Sequence, residues 1–207
     1  DHHLPGLELP PADAIVNPNL VDDKFPCKSL AGVGVIFYVL MALRSRLREQ
    51  NRFEKSQLQE PNLAQLLDYV ALGTVADVVA LDQINRILVH QGLLRIRTAR
   101  CHPGLNALIE VSGRNPQTIV ASDLGFALGP RLNAAGRMDD MSLGIQCLLT
   151  DDPALAKDMA LQLDGLNNDR REVEGVMKHE AMALLSEMKA LDEHHLPAGV
   201  CLFDAGW

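Results

Sequence analysis

The sequence predicts a mostly α-helical chain with about two short strands. Apolar residues recur at every third or fourth position in several segments, which is typical of amphipathic helices. Only residues 14–16 and 200–203 are short apolar runs of the kind that form strands. The 207 residues are 47% hydrophobic, which excludes a disordered chain. No apolar run reaches the roughly 18 residues needed to cross a bilayer, so no membrane association is expected.

The first helices are predicted from capping residues and proline. Ser29 is expected to cap a helix that runs to about Gln50. Pro61 and Asn62 are expected to open a second helix that runs to about Val75. Further helices are predicted over residues 83–97, 105–111, 122–132 and 141–149, the third of these capped by Ser122 or Asp123.

The most periodic segment runs from Leu155 to Leu191. Its apolar positions are spaced by threes and fours, and this pattern predicts one amphipathic helix or two nearly collinear helices broken near Gly165. At about 1.5 Å per residue the segment would span about 55 Å, which is more than a small domain needs. Part of it is therefore expected to bridge between two bodies.

The four cysteines lie far apart in sequence and lack the spacing of a zinc site. We expect reduced, buried thiols, a pattern typical of a cytoplasmic protein. The cysteines are Cys27, Cys101, Cys147 and Cys201.

Charge is unevenly distributed along the chain. The net charge is −8, yet residues 86–137 carry seven arginines against two acidic residues. An acidic protein does not attract nucleic acid by its overall charge, but a local group of arginines can still hold phosphates. The alternative is that these arginines only form solvated helix faces.

The first candidate site is the triplet Asp1, His2 and His3. A carboxylate beside two imidazoles offers oxygen and nitrogen ligands that suit Mn²⁺, Mg²⁺, Fe²⁺ or Zn²⁺. Two adjacent histidines can also arise without any function, so the triplet alone does not decide the matter.

The second candidate is Asp77, which ends an otherwise apolar helix. A buried carboxylate needs a partner such as a metal or an arginine. An exposed carboxylate would instead lie near the negative end of the helix dipole, which is an unfavourable position. The residues themselves leave both interpretations open.

The third candidate is the segment 129–138, in which Arg131, Asn133 and Arg137 lie among small residues. Small residues let a ligand approach the backbone, and arginines donate forked hydrogen bonds to phosphates. The alternative is that the arginines pair with local acids such as Asp139 and Asp140.

Taken together, five segments resemble the DHH phosphoesterase superfamily, and most closely its bacterial single-stranded-DNA exonucleases. The resemblance is carried by residues 1–6, 17–19, 28–35, 72–79 and 122–138. It implies an α/β fold in which residues 1–150 are the C-terminal part of the catalytic DHH domain. Residues 151–196 would then be a long helical connector, and residues 197–207 the first strand of a following DHHA1-type domain.

The resemblance also implies a site that holds two divalent metals, Mn²⁺ or Mg²⁺. His2 and Asp77 match positions that ligate one metal. His3 matches a catalytic position that faces the scissile phosphate, and Asp1 would orient the histidines.

A second group of residues matches positions around the substrate. Three would hold DNA phosphates, and two glycines would let a helix start pack close to the metals. These residues are Arg131, Asn133 and Arg137, and Gly32 and Gly34.

The implied activity is hydrolysis of phosphodiesters by two-metal catalysis, from the 5′ end of single-stranded DNA, in DNA repair and recombination. The implied partners are single-stranded DNA, a single-strand-binding protein and a helicase. The family's other aspartate motifs lie upstream of the triplet. We therefore expect this chain alone to bind Mn²⁺ weakly and not to cleave DNA.

Two other functions remain open. Another DHH phosphodiesterase, acting on oligonucleotides or cyclic dinucleotides, is disfavoured by residues 123–137. A non-catalytic DNA-binding scaffold is disfavoured because such relatives lose the metal residues, whereas His2, His3 and Asp77 are present.

Overall fold

The computed structural model describes residues 1–138, 140–191 and 199–205, and within them it is mostly helical. The helices are α1 (Gly32–Glu49), α2 (Arg52–Lys55), α3 (Leu67–Ala76), α4 (Gln83–Arg97), α5 (Pro103–Val111), α6 (Ala121–Asp123), α7 (Gly129–Met138), α8 (Ser142–Leu149) and α9 (Pro153–Leu191). A 3₁₀ turn, Leu63–Leu66, precedes α3, and a π-helical segment, Leu124–Leu128, joins α6 to α7.

The predicted helical character is confirmed, but the two predicted strands are wrong, since the described residues contain no strand. Residues 14–16 have no regular structure, and the carbonyl of Val16 accepts a hydrogen bond from the amine of Asp1 at 2.9 Å. Residues 200–203 also have no regular structure. A strand needs a neighbour to complete its hydrogen bonds, and neither run has one among the described residues.

Side-chain capping accounts for the start of some helices but not for the start of α1. Ser29 is not the cap of α1, which begins at Gly32 after Ala31 without any side-chain hydrogen bond. Asn62 does act as a cap, because its side chain accepts a hydrogen bond from the N–H of Ala64 at 3.2 Å. Asp123 lies inside the helix and accepts from the backbone N–H of Val120 at 3.0 Å.

Two groups of buried side chains form the core. The larger group joins α3, α4, α5, α7, α8 and the beginning of α9, and its fully buried members include Leu105, Leu108, Leu128 and Leu163. The smaller group packs α1 and the loop before it against α3 and α4. Close contact between α3 and α4 requires Gly92, because a Cβ there would clash with the carbonyl of Leu67.

The long helix α9 has 39 residues and is continuous through Gly165. At about 1.5 Å per residue it is about 58 Å long. Its first half packs against α5, α7 and α8 and buries Ala156, Ala160 and Leu163. Residues 171–187 are exposed or half-buried, so the second half makes little contact with the described helices.

All four cysteines are free thiols. Cys27 and Cys147 are buried, as predicted, and Cys101 is half-buried. Cys201 is exposed, so its predicted burial is wrong. It lies in residues 199–205, which form no helix or strand that could cover it. Among the described residues, no helix is both long and apolar enough to span a membrane.

Candidate metal and nucleic-acid site

His2 and Asp77 meet although 75 positions separate them in sequence. The Nε2 atom of His2 lies 3.2 Å from Oδ2 of Asp77, and the two side chains are 17% and 39% exposed. Asp77 directly follows α3 and closes it, with its N–H donating to the carbonyl of Gly73 at 3.0 Å. The end of α3 and the first turn of the chain therefore place an imidazole and a carboxylate side by side.

Two glycines lie at close approaches in this site: Gly73 between α1 and α3, and Gly32 beside His2. A Cβ on Gly73 would lie 2.7 Å from Cγ1 of Val33, so the start of α1 rests directly on α3. A Cβ on Gly32 would lie 3.6 Å from Cδ2 of His2. Gly32 therefore borders the His2 imidazole.

Gly34 faces another part of the structure. A Cβ at this position would lie 3.0 Å from Cδ2 of Leu30, which belongs to the smaller core group. Gly34 is thus placed to let α1 pack on Leu30, and the structure does not bring it to His2 and Asp77.

Asp1 organises the backbone and the second histidine of the triplet. Its Oδ1 accepts hydrogen bonds from the N–H groups of His2 at 2.8 Å and His3 at 3.3 Å. The same oxygen lies 2.7 Å from Nδ1 of His3. The His3 side chain is exposed, and its ring centre is 4.3 Å from that of His2. The carboxylate thus fixes the orientation of His3 and leaves its Nε2 free to face solvent.

Asn17 and Asn19 hold the triplet in place, a role that the sequence reasoning missed. Nδ2 of Asn17 donates to the carbonyl of His3 at 2.8 Å, and Nδ2 of Asn19 donates to that of His2 at 2.7 Å. Asn17 is 3% exposed and also accepts from the N–H of Asn19 at 2.9 Å. The sequence does contain a signal for this role, because two asparagines flank a proline in a loop that matches the family.

Arg131 faces the body of the protein. Its Nε and Nη2 atoms each lie 2.8 Å from Oδ1 of Asp164 on α9, and Nη1 donates to the carbonyl of Ala127 at 2.6 Å. Its side chain is 11% exposed. Arg131 thus has an acidic partner within the chain, and that partner is Asp164 on α9.

Asn133 and Arg137 lie on a different side of α7 from Arg131. Both are exposed, and their spacing of four residues places them one turn apart on one face. Arg131 is about 200° around the helix from Asn133. The structure therefore brings two of the three predicted phosphate-binding residues together and separates the third.

Helix α7 begins beside the last turn of α3. A Cβ on Gly129 would lie 3.5 Å from Cβ of Ala76, the residue before Asp77. Gly129, Asn133 and Arg137 follow each other at intervals of four, so they share one face of α7. The exposed pair therefore continues along a line that starts next to the His2–Asp77 pair.

Several other arginines of residues 86–137 have partners within the chain. The guanidinium group of Arg97 donates twice to the carbonyl of Ile119, at 2.9 and 2.6 Å. Nε of Arg114 lies 3.3 Å from a carboxylate oxygen of Asp123. The basic stretch is thus only in part an open surface.

Among the described residues, the cysteines are not grouped with other side chains that could hold a metal. Burial raises the pKa of the thiols of Cys27 and Cys147 to about 11, which keeps both protonated at neutral pH. A metal ligand must be the thiolate. Among the described residues, no group of three or more histidines, cysteines and acidic residues is arranged to hold an ion.

The His2–Asp77 pair nevertheless fits part of a metal site. Two ligands held at about 2.1 Å from one ion and at right angles to each other lie about 3 Å apart. The observed separation of 3.2 Å agrees with that geometry. Imidazole nitrogen and carboxylate oxygen are donors that Mn²⁺ and Mg²⁺ accept.

Comparison with known proteins agrees with the family resemblance of the sequence motifs. The chain is 57% identical over all 207 residues to the single-stranded-DNA-specific exonuclease RecJ of Dickeya dadantii, and 56% identical to that of Salmonella typhimurium. The chain is similar to RecJ along its whole length. It spans 36% of the length of these two RecJ proteins. No family profile matches the chain.

The structure of the chain is similar to a crystal structure of RecJ. The crystal structure of RecJ in complex with Mn²⁺ from Thermus thermophilus has a TM-score of 0.70 and 35% identity to the chain. The match covers 87% of the chain and 25% of that RecJ. The resemblance to the single-stranded-DNA exonucleases of the DHH superfamily is thereby confirmed.

Proposed function

We propose that the chain forms part of the catalytic core of a metal-dependent exonuclease that degrades single-stranded DNA in repair and recombination. The observation that carries the proposal is the 3.2 Å approach of His2 to Asp77, in the geometry of two ligands of one ion. The similarity to RecJ over all 207 residues supports it.

His2 and Asp77 are proposed to hold one divalent ion, Mn²⁺ or Mg²⁺. When bound, such ions supply a nucleophile at neutral pH and neutralise charge on the phosphodiester. The buried Asn17 and the half-buried Asn19 would keep the backbone of the triplet fixed while an ion is bound. The remaining ligands would have to come from groups outside the described residues, because these contain no cluster of three.

His3 is proposed to act on the scissile phosphate. Its Nδ1 is engaged by the carboxylate of Asp1, so its Nε2 faces solvent beside the His2 ring. An imidazole held in this way can donate a hydrogen bond or a proton to a phosphate oxygen. Asp1 would fix the ring orientation without contacting the substrate.

The phosphates of the DNA strand are proposed to bind Asn133 and Arg137, the exposed pair on α7. Arg131 is proposed to act differently from the sequence prediction, because each nitrogen of its guanidinium group already contacts Asp164 or Ala127. Its role would be to fix α7 against α9, so that the exposed pair keeps its position relative to Asp77.

The long helix is proposed to be the connector of residues 151–196. The exposed second half of α9, residues 171–187, supports this role. The proposed start of a further domain at residues 197–207 lies partly outside the described residues. The single-strand-binding protein and the helicase remain predictions from the resemblance, and the cytoplasmic location remains a prediction from the cysteine pattern.

Metal titration and nuclease assays test the proposal. Mn²⁺ binding would be followed by electron paramagnetic resonance in the chain and in the full-length product of its gene, comparing Asp77→Asn and His2→Ala with the exposed control Asp13→Asn. We expect each site variant to weaken Mn²⁺ binding about tenfold or more. Digestion of single-stranded DNA by the full-length protein should fall about 100-fold or more.

Two results would contradict the proposal. One is full nuclease activity in the full-length Asp77→Asn variant, which would favour a scaffold role for this site. The other is activity on cyclic dinucleotides or short oligonucleotides in preference to long single strands. In addition, the 207-residue chain alone is expected to show no cleavage, because its described residues bring together two donors of a site and no cluster of three.

A further inference from the structure

Phe126 is an apolar side chain that the fold leaves in solvent. It is 82% exposed, although its neighbours Leu124, Ala127 and Leu128 are all buried in the core. Burying a phenylalanine stabilises a fold, so the protein forgoes a sizeable stabilisation at this position. The residue lies in the π-helical segment Leu124–Leu128, and such segments occur frequently at functional sites.

Gly125 and Gly129, which flank Phe126 in the sequence, bring its segment close to α3. A Cβ on Gly125 would lie 3.1 Å from Cγ1 of Val75, and one on Gly129 would lie 3.5 Å from Cβ of Ala76. The π-helical segment therefore rests on the last turn of α3, which ends next to Asp77. Phe126 is the exposed residue of this segment, which rests on the turn that precedes Asp77.

Phe126 also lies on the same side as the exposed polar pair of α7. Asn133 and Arg137 follow it by 7 and 11 residues, which correspond to about two and three helical turns. The π-helical turn changes this register by only a fraction of a turn. The segment 124–138 contains no acidic residue, so an aromatic ring, an amide and a guanidinium group form one uninterrupted face.

We propose that Phe126 is a stacking platform for a base of single-stranded nucleic acid, whose phosphates are held by Asn133 and Arg137. This inference rests on the proposed function and adds a positioning residue to it. Aromatic rings stack on bases without sequence preference, and cationic side chains beside them hold the backbone. Residues 124–138 contribute no carboxylate that would repel the strand, and an aromatic ring beside an amide and a guanidinium group favours nucleic acid over a purely apolar partner.

The test compares two oligonucleotides of equal length and charge in the full-length product of the gene. One is oligo-dT, and the other carries abasic sites in place of the bases, so that only stacking differs between them. The variants are Phe126→Ala, Phe126→Trp and the control Phe203→Ala, which removes a phenylalanine that is 87% exposed outside the helical core. Dissociation constants would be measured by fluorescence anisotropy in Ca²⁺ at fixed salt to prevent cleavage.

We expect the wild type to prefer oligo-dT over the abasic strand by about fivefold or more. Phe126→Ala should remove this preference without changing the affinity for the abasic strand, whereas Phe126→Trp and Phe203→Ala should keep it. The tryptophan variant should also show fluorescence quenching by oligo-dT and not by the abasic strand.

Three results would overturn the inference. If Phe126→Ala keeps the wild-type preference, Phe126 does not stack, although the proposed function stands. If Phe126→Ala lowers the affinity for both strands equally, or only the unfolding temperature, the ring packs against another part of the protein. If the wild type binds neither strand, both the inference and the proposed function fail.

Discussion

Arg131 and Asp164 form an ion pair that joins α7 to α9, with Nε and Nη2 each 2.8 Å from Oδ1. Both side chains are largely shielded from solvent, and Arg131 also donates to the carbonyl of Ala127. A bidentate pair in this environment is worth more than an exposed one, because removing one partner leaves a poorly solvated charge.

Replacing Arg131 should therefore affect stability more than binding. We expect Arg131→Ala to lower the free energy of unfolding by about 2 to 4 kcal/mol, since it removes two hydrogen bonds and leaves Asp164 without its ion-pair partner. Arg137→Ala, on the exposed face of the same helix, should change it by less than about 0.5 kcal/mol. Urea denaturation followed by circular dichroism measures both values.

The same two variants should behave in the opposite way in DNA binding. Arg137→Ala should weaken binding of single-stranded DNA in the full-length protein and reduce its salt dependence by about one phosphate contact. A stable Arg131→Ala protein whose DNA binding also loses about one phosphate contact in its salt dependence would show that Arg131 contacts phosphate itself.

The sequence predicted the helices better than the positions of individual side chains. The periodicity and the polar boundaries gave Gln83–Arg97 with the bounds that the structure has. The strand at residues 14–16 could not be excluded in this way, because a strand depends on a neighbour that local sequence does not specify. The partner of Arg131 was equally hidden, since Asp164 is 33 positions away and on another helix.

The prediction of the site depended more on the family resemblance than on the spacing of residues in the sequence. Considered alone, Asp77 could either bind a metal or face water, and nothing in its neighbourhood pointed to His2. The fold supplies that information, because Gly73 lets α1 approach α3 and Gly32 borders the imidazole. The exposure of Phe126 could not be predicted from the sequence, because an apolar residue in an apolar segment predicts burial.

Glycine substitutions should have opposite effects in two places. A methyl group at Gly92 would clash with the Leu67 carbonyl and the Ala71 side chain, so Gly92→Ala should destabilise the fold by about 3 kcal/mol or force α3 and α4 apart. Gly165 lies in α9 with nothing within 4 Å of an added Cβ. Gly165→Ala should stabilise by about 0.5 to 1 kcal/mol, because glycine lowers helix propensity.

Thermal unfolding of the two variants checks this contrast. An unfolding temperature below that of the wild type for Gly165→Ala would mean that the glycine has a role that the packing does not reveal. Unchanged stability of Gly92→Ala would contradict the close approach of α3 and α4.

Asp82 should make stability depend on pH in the acidic range. Its carboxylate caps α4 by accepting from the N–H of Asn85 at 2.9 Å. Partial burial acts to raise the pKa of this carboxyl, but hydrogen bonds from the Cys27 thiol and the N–H groups of Asn85 and Ile84 hold the pKa below its ordinary value of 3.8. The stabilisation is therefore complete well above that ordinary value and is lost as the pH falls through the lower pKa of the folded state.

Two variants separate the charge of Asp82 from its role as a cap. Asp82→Ala should cost about 1 kcal/mol at pH 7, and the difference from wild type should shrink below about pH 4. Asp82→Asn keeps a capping oxygen that does not titrate, so its stability should not follow this pH dependence. A constant difference between wild type and Asp82→Ala across the whole acidic range would show that the carboxylate charge contributes nothing.

Cys201 should be the only one of the four cysteines that reacts rapidly in the native protein. Reaction with a disulfide reagent requires both access and the thiolate form. Burial raises the pKa of Cys101 as well as those of Cys27 and Cys147, and all three thiols lie partly or wholly within the core. Cys201 is exposed.

Titration with Ellman's reagent at mildly alkaline pH therefore should release one equivalent of chromophore rapidly and three more only after denaturant is added. Cys201→Ser should remove the rapid phase and leave the slow one unchanged, whereas Cys147→Ser should leave the rapid phase unchanged and reduce the slow one from three equivalents to two. A rapid phase that survives Cys201→Ser would mean that a thiol in the helical core becomes accessible by local opening. The most direct candidate would then be Cys101, which is half-buried in the loop between α4 and α5.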